Sequence, residues 1–89
     1  MDQQKLHGHL EELHAELQQV ESPDATQQEI IQSVARDVKD VLGKSGDQPH
    51  HYSGLSERLS EAVAQLEATH PRTTMLMRQV IDQLAYLGI

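Results

Sequence analysis

Histidines are the residues of this 89-residue chain whose side chains could bind a metal ion or change charge near neutral pH. His7, Glu11 and His14 follow at spacings of four and three residues, so they share one helical face. Two histidines and a carboxylate form a donor set that suits a divalent transition metal. A helix rises about 1.5 Å per residue, so His7 and His14 lie about 10 Å apart and one ion would strain to reach both. We therefore interpret the three as a solvated helix face, with a metal site as the alternative.

Three further histidine positions carry weaker signals. His50 and His51 are adjacent in a polar stretch with three glycines, GKSGDQPHHYSG, and we interpret them as a surface pair with metal binding as the alternative. His70 precedes Pro71, where a turn or helix-capping role is the simplest interpretation. No HExxH motif is present, and we expect no cofactor.

Carboxylates and serines give little support to an enzyme. The acid pairs Glu11 with Glu12 and Asp37 with Asp40 fall on the solvent side of predicted helices, where nothing would raise a carboxyl pKa for acid catalysis. Serines near His50 and His51 are far more often caps than nucleophiles. We therefore expect a protein without enzymatic activity.

Apolar residues recur every three or four positions along most of the chain, which predicts helices rather than strands. The predicted helices span roughly residues 2–21, 24–42, 54–69 and 71–87. Asp24 and Gln27 stand at capping-box spacing and predict the start of the second helix. Pro71 predicts a break between the last two helices, because proline is tolerated in a first turn but not in a helix interior. One continuous kinked helix is the alternative.

Short-range signals also predict where helices stop and start around the central loop. Gly43 and Gly88 are expected to be left-handed residues that end the second and fourth helices. Ser53 is expected to cap the third helix, after a loop over residues 43–54.

Leucine and valine residues form a narrow seam at heptad spacing on the first helix and a second seam, at spacings of four residues, on the last helix. These seams predict an all-α fold of one domain over residues 1–89: an antiparallel bundle of about four helices, arranged as two helical hairpins. The chain has no Phe or Trp, so its core must be aliphatic, and this favours a homo-oligomer, most simply a dimer. The seam residues, expected to act by packing alone, are Leu6, Leu10, Leu13, Leu17, Leu76, Val80 and Leu84.

If the first seam joins two chains, His7 and His14 flank that interface on one side and His9 and Glu16 on the other. Histidine titrates near pH 6.5 in model peptides, about where a charge change at these flanks would act. This leads to the hypothesis that assembly through the first helix depends on pH.

The net charge of −7 and the absence of cysteine narrow the setting. Such a surface repels phosphate backbones and no basic cluster compensates, so we expect no nucleic acid partner. No apolar run has membrane-spanning or signal-peptide length, so we expect no membrane association and a cytoplasmic location. The segment 1–22 is acidic while 71–89 is slightly basic, which favours contact between the first and last helices.

The segments LHGHLEELHAELQQVES and LEATHPRTTMLMRQVIDQLAYLGI resemble a family of small bacterial proteins known as domain of unknown function 4404. The most distinctive parts are the His70, Pro71, Arg72 turn and the Leu87, Gly88, Ile89 ending. The resemblance implies a small helical protein and transfers no activity, ligand or catalytic residue.

These observations predict a non-enzymatic, self-associating structural or protein-interaction module. A second copy of the chain is the expected partner, with an unidentified protein as the other possibility. The alternative function is a histidine-dependent metal-binding or pH-responsive protein.

Overall fold

The computed structural model describes residues 2–43, 52 and 54–88, and within these ranges the regular structure is helical. The predicted all-α fold is confirmed. Each helix begins and ends within a few residues of the predicted bounds, and each follows a stretch of three- or four-residue apolar periodicity. The helices are α1 (Asp2–Gln19), α2 (Ala25–Gly43), α3 (Leu55–Leu66) and α4 (Pro71–Tyr86).

The four helices form an antiparallel bundle in which chain neighbours are also neighbours in space and α1 packs against α4. Side-chain contacts fix the directions. Thr73 at the start of α4 reaches Glu16 near the end of α1, and Arg58 at the start of α3 reaches Asp37 in the second half of α2. The attraction expected between the acidic first segment and the basic last one is therefore realised as a direct contact between α1 and α4.

Aliphatic side chains from all four helices meet in one core. The seven predicted seam residues are all inside it, with exposed fractions of 0 to 8 % within a single chain. Burying each leucine side chain contributes roughly 1.5 to 3 kcal/mol. The core residues are Leu6, Leu10, Leu13, Leu17, Ile31, Val34, Val38, Leu55, Leu59, Ala62, Val63, Leu66, Leu76, Met77, Val80 and Leu84.

Pro71 separates α3 from α4, as predicted. The third helix ends at Leu66, and α4 begins at Pro71 with His70 in the N-cap position. Proline lacks the N–H that a helix interior needs, and that N–H would have no partner in a first turn. The alternative of one kinked helix is therefore wrong.

Of the two glycines predicted to be left-handed, one is confirmed and the other is not. Gly88 has a φ of 74° and follows the end of α4 in the left-handed region, as expected. The prediction for Gly43 is wrong: it is the last residue of α2 and does not have a positive φ. Instead Gly54, with a φ of 81°, precedes α3 at the N-cap position. Ser53, Ile89 and residues 44–51 of the predicted loop lie outside the described residues.

Candidate functional site

His7 and Glu11 are in contact on the exposed face of α1. Their Nε2 and Oε1 atoms lie 2.8 Å apart, the i and i+4 contact that a helix provides. Both side chains line a shallow depression of about 390 Å³. His14 also lines it, and the depression extends to Leu42 of α2.

Within residues 2–43, 52 and 54–88, however, no three His, Cys, Asp or Glu side chains are arranged to hold a metal ion. The proposed set of His7, Glu11 and His14 is thus reduced to a pair. His50 and His51 lie outside the described residues.

The seam that the pH hypothesis places between two chains lies inside one chain. Glu16, expected to flank an interchain contact, instead joins α1 to α4: its carboxylate accepts from the Thr73 hydroxyl at 3.3 Å and lies 3.4 Å from Arg72 Nε. The Thr73 side chain is fully buried, so this contact fixes how the end of α1 sits on the start of α4.

Two polar atoms near the core lack a hydrogen-bond partner among the described residues, His9 Nδ1 on α1 and Gln83 Oε1 on α4. A buried polar atom without a hydrogen-bond partner costs about 1 to 3 kcal/mol, because it gives up its hydrogen bonds to water on folding. From the sequence, His9 is expected on a helix flank and Gln83 is not a candidate for any site. A glutamine in an amphipathic helix carries no signal that distinguishes a buried carbonyl from a solvated one.

The turn between α1 and α2 caps the N-terminus of α2. The Gln27 N–H donates to Asp24 Oδ1 at 3.0 Å, which confirms the predicted capping role of Asp24. The reciprocal half of a capping box is replaced, since the Asp24 N–H donates to Ser22 Oγ at 3.2 Å. The Ser22 hydroxyl in turn donates to Gln27 Oε1 at 3.1 Å.

The same glutamine ties this turn to the one between α3 and α4. Gln27 Nε2 donates to the Gln65 carbonyl at 3.3 Å, and the Thr69 hydroxyl donates to Gln27 Oε1 at 3.2 Å. His70 joins the group, with Nδ1 at 2.9 Å from Thr69 Oγ1 and Nε2 at 3.5 Å from the Glu21 carbonyl. His70 is therefore placed as a turn residue, and the polar groups here serve to hold two turns together.

A groove of about 460 Å³ runs between α2 and α3. Its lining includes the apolar residues Ile30, Val34 and Ala62. Asp37 Oδ1 and Arg58 Nη1 also belong to the lining and lie 3.2 Å apart, bridging the two helices. The groove lies where small residues such as Ser33 and Ala64 face the gap, a pattern that is visible in the sequence but does not by itself say which helices pair.

The outward face of α4 carries large apolar side chains. Met75 is 50 % exposed and Tyr86 is 73 % exposed, the large exposed hydrophobic residues of the described part of the chain. Met77, two positions from Met75, is fully buried. The structure therefore assigns Met77 to the core and Met75 to the surface.

No helix in the described ranges combines the length and the apolar composition needed to cross a bilayer. Searches of curated proteins and of solved structures each found no match to the chain. A family model, Domain of unknown function (DUF4404), matches residues 6–89. This match spans most of α1 and the whole of the other three helices. The chain therefore belongs to the DUF4404 family, a domain of unknown function.

Proposed function

We propose that this protein is a non-enzymatic helical module that assembles with a second copy of itself. The observation that carries the proposal is the distribution of large apolar side chains. The leucine seams are covered within one chain, whereas Met75 and Tyr86 on α4 face solvent. Covering such side chains with another protein surface gains about 25 cal/mol for each Å² of apolar area removed from water.

The polar groups of the described residues support the non-enzymatic part of the proposal. Glu16, Gln27 and His70 are engaged in contacts between helices or between turns. Glu11 and Glu12 lie exposed on α1, outside the kind of enclosed cleft in which an enzyme positions a substrate.

Assembly is proposed on the outer surface of the bundle rather than along the seam of α1. Leu6, Leu10, Leu13 and Leu17 are covered by the other helices of their own chain. A dimer built on that seam would have to expose the core before it could form, at a cost of several kcal/mol. A surface that is already exposed has no such cost.

Light scattering across a concentration series tests the proposal. The protein would be measured from about 5 to about 500 µM, because the populations of monomer and dimer shift with protomer concentration. The mass is expected to rise from 10.0 kDa toward twice that value as concentration increases. A mass of 10.0 kDa at every concentration would contradict self-association.

A further inference from the structure

We propose that the second copy docks on the outward face of α4, in an antiparallel dimer with two-fold symmetry; this inference rests on the self-association proposed above. The docking surface, here called the α4 stripe, consists of Met75, Gln79, Asp82 and Tyr86. These residues follow one another at spacings of four, three and four. At about 100° per residue they fall within a sector of about 60° on the helix. The two large exposed hydrophobic residues stand at the two ends of this stripe.

The stripe is complementary to itself when two copies run antiparallel. A two-fold axis that passes between the two α4 helices, at the level midway between Gln79 and Asp82, sets Met75 of one copy opposite Tyr86 of the other and repeats the contact at the far end. A methionine sulfur against an aromatic ring is a favourable contact, worth about 0.3 to 1.5 kcal/mol. In the centre, Gln79 of one copy faces Asp82 of the other, so that an amide can donate to a carboxylate.

Charge distribution favours α4 over the other helices as the meeting face. The chain as a whole has a net charge of −7, so two copies repel each other over most of their surfaces. Among the four described helices α4 alone has a positive balance, with Arg72 and Arg78 against Asp82.

Asp82 has no ion-pair partner within the described part of its own chain, whereas Arg78 contacts Glu67. The antiparallel arrangement brings Arg78 of one copy beside Asp82 of the other, because the two positions lie at nearly the same height on either side of the axis. The dimer therefore places an Arg78 guanidinium beside each Asp82 carboxylate, once on either side of the two-fold axis.

The size of the face sets the strength expected. The 16 residues of α4 span about 24 Å along the bundle. The bundle is 21 by 19 Å in cross-section. Such a face removes roughly 1,000 Å² from water in total, at the low end for specific interfaces. A reversible, concentration-dependent dimer is therefore expected.

The first experiment asks whether the α4 stripe carries the association. Met75→Glu with Tyr86→Glu places two carboxylates on the stripe at exposed positions, so the fold should persist. The matched control, Gln18→Glu with Gln32→Glu, adds the same charge at exposed positions of α1 and α2. Helix content and thermal midpoint would be checked by circular dichroism.

By light scattering, the stripe variant is expected to weaken dimerisation at least about tenfold relative to the control variant, because it removes the two large apolar side chains of the interface. A wild type that stays monomeric at all concentrations would overturn both this inference and the proposed self-association. A wild-type dimer that the stripe variant leaves unchanged would overturn this inference alone.

The second experiment tests the register of the two α4 helices in the dimer. The chain has no cysteine, so an introduced one reports a single position. Met75→Cys and Tyr86→Cys chains, one carrying a longer tag, would be oxidised separately and as a mixture. In the antiparallel dimer each position is about 16 Å from its own symmetry copy, too far for a disulfide, but faces the other position.

The mixture should therefore give a cross-linked heterodimer, and each chain alone should give little. Gln32→Cys on α2 serves as the collision control. Efficient cross-linking of Met75→Cys to itself, or no heterodimer above the control, would contradict the antiparallel register.

Discussion

Leu13 is an example of the buried leucines that stabilise the fold. Its side chain has an exposed fraction of 0 % and lies in the middle of the α1 seam. Each seam leucine is enclosed in this way by the neighbouring helices, so cutting its side chain back leaves a cavity that the helices can only partly close.

Leu13→Ala should lower the free energy of unfolding by about 2 to 5 kcal/mol, because both the apolar contacts and the close packing are lost. Denaturant unfolding followed by circular dichroism measures the change. Met75→Ala is the control, since the half-exposed side chain of Met75 lies outside the core and its loss should cost less than about 0.5 kcal/mol at monomer concentrations. Equal losses for the two substitutions would mean that the seam is not buried in the monomer.

Gln83→Met should raise the free energy of unfolding by about 1 kcal/mol, because it removes the unpartnered buried carbonyl and keeps a side chain of similar shape. The thermal midpoint measures the change. Gln32→Met, the same exchange at an exposed position of α2, should leave the midpoint almost unchanged. A lower midpoint for Gln83→Met would show that the amide makes a stabilising contact through water.

Helix α1 contains a residue that lowers its stability. Gly8 lies inside the helix, where glycine is destabilising by roughly 0.5 to 1 kcal/mol relative to alanine because it loses more backbone freedom on folding. A methyl group added at Gly8 would meet nothing within 4 Å. The space for a side chain is therefore present, and the glycine is not required by packing.

Gly8→Ala should accordingly stabilise the fold by roughly 0.5 to 1 kcal/mol. The same substitution at Gly54 should act in the opposite direction, costing about 1 to 2 kcal/mol, because a φ of 81° is strained for a residue with a Cβ atom. Chemical unfolding of the two variants measures both changes. Two changes of the same sign would mean that the backbone at one of these glycines differs from the described conformation.

The whole molecule is governed by its charge as well as its core. The acidic side chains are spread over a bundle of 37 by 21 by 19 Å. The Debye length is about 30 Å at 10 mM salt and about 8 Å at 150 mM. At low salt, charges across most of the bundle therefore interact and the excess of acidic groups gives a net repulsion, whereas at physiological salt only close neighbours interact. The three Arg–carboxylate pairs found among the described residues lie at the surface and contribute little by comparison.

The thermal midpoint should therefore rise when NaCl is increased from about 10 to about 150 mM, because screening weakens the repulsion that opposes the compact state. Scanning calorimetry below the concentration of association measures it. Glu12→Lys with Asp40→Lys reduces the net charge from −7 to about −3 and should reduce the salt effect. A midpoint that falls with salt would mean that the local ion pairs outweigh the net repulsion.

Local signals in the sequence were enough to predict the elements. Periodicity, the capping pair Asp24 and Gln27, and Pro71 act within one or two turns of the chain, so they specify four helices and the break before α4 without reference to any distant residue. Gly43 is the exception among these signals, because a glycine can end a helix in the right-handed region as well as in the left-handed one.

The candidate surfaces were predictable only in part, because they depend on which helices meet. The sequence pattern of a heptad seam is identical whether the seam packs against its own chain or against a second chain, since apolar burial is not directional. Only the tertiary structure decided that Leu13 lies inside the monomer, that Met77 is buried while Met75 faces water, and that Gln83 loses its water. The sequence alone determined the helices and the apolar faces; the packing of α1 and α4 against their neighbours determined which apolar residues remained outside.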